Sequence, residues 1–196
     1  MKTFFCSVIL GAAFAMAEEV PLDTVKTLFP DGSVARIYTV QKGTDVRQGV
    51  SITYHPNGKV AVEAPYENGV LDGVFRSYYE NGNLWQTIGY RNGAEEGIST
   101  VYFENGKKKK SEVFRSGMQH GMSEEFSEQG KLQRQIPYVL GQVHGVAKIY
   151  DDMGAVVEEM TFERGLRHGA YRRYKKGLKI LEAKFERNRC IENCDF

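Results

Sequence analysis

Three histidines, His120, His144 and His168, recur every 24 residues, and imidazoles in register are the first side chains here that could do chemistry. Imidazoles sharing a zinc ion at about 2 Å each must lie within about 4 Å of one another. If the period is that of successive β-hairpins, equivalent positions are about 10 Å apart, which opposes a shared metal. Asp72 and Glu96 hold the same slot in earlier repeats, so a polar loop position is expected there. Other catalytic patterns are missing. No Gly-x-Ser-x-Gly elbow or phosphate-cradling Gly-x-x-x-x-Gly-Lys run occurs. The carboxylate pairs Glu95-Glu96, Glu124-Glu125 and Glu158-Glu159 are adjacent, so in a strand they point to opposite faces rather than across a substrate. Cys190 and Cys194, close together in a tail without histidine, read as a disulfide. The expectation is a chain that is not an enzyme, with no catalytic residue, metal or cofactor.

The elements that would carry these residues follow from glycine. Gly49, Gly73, Gly97, Gly121, Gly145 and Gly169 are each 24 residues apart, and two further series run in register at Gly58 to Gly154 and Gly69 to Gly165. The last unit is one residue short, with its turn at Lys176-Gly177 and Asn188 in place of a glycine. Between glycines lie two runs of strand length, for example Val74 to Tyr79 and Leu84 to Tyr90, separated by Asn81-Gly82. Asn-Gly is the strongest short hairpin signal, and a type I′ turn is expected at Asn57-Gly58, Asn81-Gly82 and Asn105-Gly106. Connections this short allow only antiparallel neighbours. The fold class predicted is all-β: an elongated, single-layer antiparallel meander of tandem 24-residue hairpins, about 14 strands in all.

Stacking the units aligns Tyr54, Tyr78, Tyr102, Phe126, Tyr150 and Tyr174 in one column and Tyr66, Tyr90, Phe114, Tyr138, Phe162 and Phe185 in another. A third column, Val50, Val74, Ile98, Met122, Val146 and Ala170, shares a face with the first by the strand period of two. One aromatic face and one largely charged face are expected, with cross-strand ring contacts worth about 0.2–1 kcal/mol each. Trp85 interrupts a column of Ala61, Lys109, Gln133 and Val157 on the face opposite Leu84 and Tyr90. It reads as an interface anchor or as a partner for Phe75.

Residues 1–17 read as a cleaved signal peptide, with Lys2 before an apolar core from Phe4 to Phe14 and Ala15-Met16-Ala17 at the cleavage site. About 13 apolar residues are too few for the roughly 20 of a spanning helix. Cys6 sits too early for a lipoprotein anchor. The domains expected are the signal, a degenerate repeat or cap over 18–48, six clear repeats over 49–188, and a cysteine-containing tail over 189–196. Without the signal the chain holds 25 basic and 25 acidic residues, a neutrality that argues against nucleic acid. The run Lys107 to Lys110 would alternate between faces, leaving two on each, so a solvated strand end outweighs a lipid-headgroup patch.

Written from this chain, the unit Gly73-x4-Tyr78-Tyr79-Glu80-Asn81-Gly82-x-Leu84-x5-Tyr90-x-Asn92-Gly93-x3-Gly97 resembles the MORN repeat in its bacterial variant form, and the whole is similar to the YwqK-like antitoxin family. The resemblance covers about residues 23–188. It implies a scaffold for protein contact, in some members an antitoxin or immunity protein that blocks a toxic partner, and in MORN proteins more widely membrane association. The function expected is therefore an exported, periplasmic or secreted, non-catalytic protein that binds another protein, a toxin in the antitoxin or immunity form of the reading. The alternative is a membrane-surface or envelope scaffold or adhesion protein.

Overall fold

The computed structural model describes residues 20–195, and among them every regular element is a β-strand. The signal-peptide segment and Cys6 lie outside the described residues. The N-terminal hairpin is β1 (Leu22–Leu28) and β2 (Val34–Gln41), followed by β3 (Gly49–Tyr54) and β4 (Val60–Glu67). The next two units hold β5 (Val70–Leu71), β6 (Gly73–Tyr78), β7 (Leu84–Arg91), β8 (Ala94–Glu95), β9 (Gly97–Tyr102) and β10 (Lys108–Arg115). Then come β11 (Met118–Gln119), β12 (Gly121–Phe126), β13 (Leu132–Val139), β14 (Gln142–Val143), β15 (Gly145–Tyr150) and β16 (Val156–Glu163). The end of the chain forms β17 (Leu166–Lys175), β18 (Leu178–Glu186) and β19 (Arg189–Glu192). Each long strand pairs antiparallel with the next, and the two-residue strands β5, β8, β11 and β14 pair back on the long strand before them, so the chain is one open meander.

Nineteen strands replace the expected 14 for two reasons. The tail adds β19, and four long strands are each interrupted just before a unit glycine, at Asp72, Glu96, His120 and His144. At the first of these, Tyr66 pairs with Leu71 while Glu63 pairs with Arg76, so two extra residues bulge out of one strand. The bulge needs a left-handed residue, and Gly73 supplies it at φ 109°. The same bulge explains Pro65 and Pro137, central-strand positions where proline is normally excluded. The bulge leaves the ladder interrupted beside them, and their carbonyls still accept from the N–H of Asp72 and His144.

Turn chemistry differs from the expectation. At Asn57, Asn81 and Asn105 φ is not positive and only the following glycine is left-handed, so these are not type I′ turns. Each asparagine instead uses its side-chain oxygen to accept the backbone N–H two residues on, as Asn81 does from Asn83. The paired positive φ values of type I′ turns occur between units, at Asn68-Gly69, Asn92-Gly93, Ser116-Gly117, Leu140-Gly141 and Arg164-Gly165. In the shortened last unit they recur at Lys176-Gly177 and at Arg187-Asn188, so Asn188 does fill the glycine's place.

The face assignment also changes. Within each unit one extra residue bulges beside the turn: Tyr78 pairs with Leu84, but Ser77 pairs with Gln86. That single insertion flips the parity of everything after it. The Tyr54 and Tyr66 columns therefore lie on opposite faces, not together, and the expected wholly aromatic face does not form. One face, here the core face, carries the Tyr66 column, with Ser51, Phe75, Ser99, Ser123, Ala147 and Tyr171. Among the described residues it holds all five buried apolar ones (Val40, Ala64, Tyr171, Ala183 and Phe185) and the four buried serines. Where serine or alanine fills a place in that column, at Ser51, Ser99, Ser123 and Ala147, the sheet is low enough for neighbouring side chains to cover it. At the C-terminal end Tyr171 and Phe185 meet edge to face at 6.3 Å, packed with Ala183, Met160, Leu181 and Cys190. The other, open face carries the Val50 and Tyr54 columns.

Candidate interaction surfaces

The histidine slot has a structural role that its earlier occupants reveal. Gln48, Asp72 and Glu96 each accept a hydrogen bond from the backbone N–H of the next unit's turn, at Asn68, Asn92 and Ser116, over 2.8–2.9 Å. This side chain ties one turn to the next along one margin of the sheet. Backbone bonds such as Gly93 N–H to the Leu71 carbonyl reinforce it. The histidines do not continue the pattern: His120 Nδ1 is buried without a partner, and His168 Nε2 lies 3.7 Å from Glu163. Among the described residues no three histidines, cysteines or carboxylates come close enough to hold a metal ion. The opposite margin has its own ladder, in which the amides of Asn57, Asn83 and Asn105 donate to carbonyls of the following turn.

Trp85 and Phe75 are not brought together. Phe75 lies on the core face, edge-on to Tyr90 at 6.4 Å. Trp85 is the bulged residue beside the turn, 46% exposed, and leans on Tyr79 at 6.3 Å. Lys109, its equivalent one unit on, stacks over Phe103 in the same way. The lysine run is dispersed rather than alternating two and two. Lys107 donates to the Gln129 carbonyl, Lys108 pairs with Tyr102 on the open face, and Lys110 turns to the core face beside Glu112 at 2.8 Å. Cys190 and Cys194 are bonded, holding the tail around β19.

Two surfaces stand out. On the open face Val50, Val74, Ile98, Met122 and Val146 are all exposed, Ile98 to 62%. Register places Pro65, Gly89, Val113 and Pro137 opposite the first four of them. The result is an uncharged row across nine strands, about 40 Å long at about 4.8 Å per strand. Spacing alone places the valine column on one face with the Tyr54 column, as it is here, but within a wholly aromatic face that does not form. The prolines were the neglected signal, because a residue that cannot serve a ladder marks the bulged margin. Beside the row, Tyr78 and Tyr174 donate to Glu63 and Glu159 at 2.9 and 3.0 Å. Burial, then the bond to the carboxylate, pushes both phenols above their ordinary range.

The second surface is a concavity of about 330 Å³ on the core face near the C-terminal end, floored by Ile136, Ile149, Met160, Phe162, Tyr171 and Phe185 and edged by charge. Of its lining, spacing alone singles out only Phe162 and Phe185 in an aromatic column and Glu158 in an adjacent carboxylate pair.

Comparison with curated proteins gave no match. The family model described as MORN repeat variant matches residues 47–68, 71–92, 95–115 and 119–139. These matches fall on four consecutive units of the sheet, each running from just before a unit glycine to the end of the second long strand. Over these four units the chain is thus similar to the MORN repeat variant, within a longer array of hairpins built on the same plan.

Proposed function

We propose that the chain, freed of residues 1–17, is an exported, non-catalytic scaffold that binds a partner protein across the open face, and that this partner is a toxin it neutralises outside the cytoplasm. The observation that carries the binding part is the exposed row from Val50 to Val146. A soluble surface rarely leaves contiguous apolar side chains in water unless something covers them. Here the bulges and turns present them at fixed intervals on a rigid sheet. The antitoxin part rests on the resemblance of the unit, and export on the segment from Lys2 to Ala17.

Val74→Asp combined with Ile98→Asp tests the binding. Both side chains are exposed, so folding should be unaffected while affinity for the partner falls at least a hundredfold. Deleting the gene should sensitise cells to a protein encoded nearby, and the double variant should fail to restore protection. Full protection by the double variant would sink the surface. A deletion strain no more sensitive than its parent would sink the toxin reading while leaving the scaffold reading standing.

A further inference from the structure

We propose that the core-face concavity near the C-terminal end is a binding site for a small amphipathic carboxylate, its apolar body lying on Ile136, Ile149, Met160 and Phe162 and its anionic end at Arg167. The site is separate from the open-face row, and the inference stands whatever protein that row binds. Its volume, about 330 Å³, lies at the lower end of the range for small-molecule pockets, and its floor is almost wholly apolar.

The charges at its edge select the ligand's sign. Arg134, Glu158 and Arg167 put their charges at its edge, two cations to one carboxylate, whereas Lys148 also borders the concavity but turns its ammonium to Glu159 on the open face. Two of the three are already paired: Arg134 with Glu125 at 3.6 Å and Glu158 with Arg173 at 3.3 Å. Arg167 has no ion pair among the described residues, and its guanidinium rests over the Phe185 ring at 5.8 Å. A planar guanidinium can take both oxygens of a carboxylate at once. One cation without an ion pair beside an apolar floor thus calls for a ligand with one anionic end and a hydrocarbon body.

Decanoate and decanol, which share a chain and differ in the head group, serve as probes. Binding is read from the methyl resonances of protein labelled at methionine. Met160 lies in the site, while Met118, Met122 and Met153 are exposed elsewhere and act as internal controls. Decanoate below its micellar concentration should shift the Met160 methyl saturably, leave the other three in place, and bind at least tenfold more tightly than decanol. In Arg167→Gln the preference for decanoate should vanish, and in Arg167→Lys part of it should remain, with the control methyls unmoved in both. An unmoved Met160, joint movement of all four methyls, movement confined to Met122, or equal binding of the two probes would overturn the proposal. If Arg167→Gln does not fold, the comparison of probes on the native chain decides alone.

Discussion

Leu140 holds a left-handed backbone at φ 51° while its side chain is 64% exposed, in a turn position filled by asparagine in two other units. That conformation costs an ordinary L-residue about 1–2 kcal/mol and asparagine less. Leu140→Asn should therefore stabilise the protein by about 0.5–1 kcal/mol, seen as a higher midpoint in urea with an unchanged slope. The tyrosines of the open face make a second claim. Tyr78 and Tyr174 are raised above the ordinary phenol value of 10.0, first by burial and then by Glu63 and Glu159. A raised folded value means stability that is complete below about pH 10 and lost as pH climbs through it, because the unfolded chain ionises first. Tyr78→Phe should flatten that alkaline decline in a pH series of thermal melts, and an equally steep decline would count against it. Which residues occupy the columns was legible from spacing alone, but the partners of the phenols were not. Glu63 lies 15 positions before Tyr78, and only the pairing of β4 with β6 brings them together.

At the scale of the element, the hairpins, their direction and their order were readable because glycine, asparagine and aromatic positions all keep one period. The faces were not, and the reason is specific. Counting by twos carries Leu84 and Tyr90 to the same side, yet the extra residue at Trp85 puts them on opposite sides. Bulges leave no fixed signature in composition, so a parity count across one fails without warning. The same disruption makes a distinctive prediction. Val113 occupies the position held by Pro65 and Pro137, beside the bulge at His120. Val113→Pro should cost no more than about 1 kcal/mol despite lying in a central strand. Thr87→Pro, paired on both sides with Arg76 and Thr100, should cost about 3 kcal/mol or more. Comparable losses in chemical denaturation for the two would contradict this account of the bulge.

Across the whole molecule, the sheet has a worked end and a bare side. Its C-terminal end gathers Tyr171, Ala183 and Phe185 into a small core and clips the tail with Cys190–Cys194, while the open face keeps an apolar row from Val50 to Val146 uncovered. A repeat array gains stability from neighbours rather than from a second layer, so such a face can be left available for binding. That a covering partner exists is the central claim, and crosslinking in the native cell addresses it most directly. A photoreactive residue would replace Ile98 on the open face and, in a separate strain, Lys110 on the core face. The account predicts one discrete heavier species from position 98, absent from position 110 and lost when Val74→Asp is added. Equal crosslinking from both positions, or none from position 98, would contradict it.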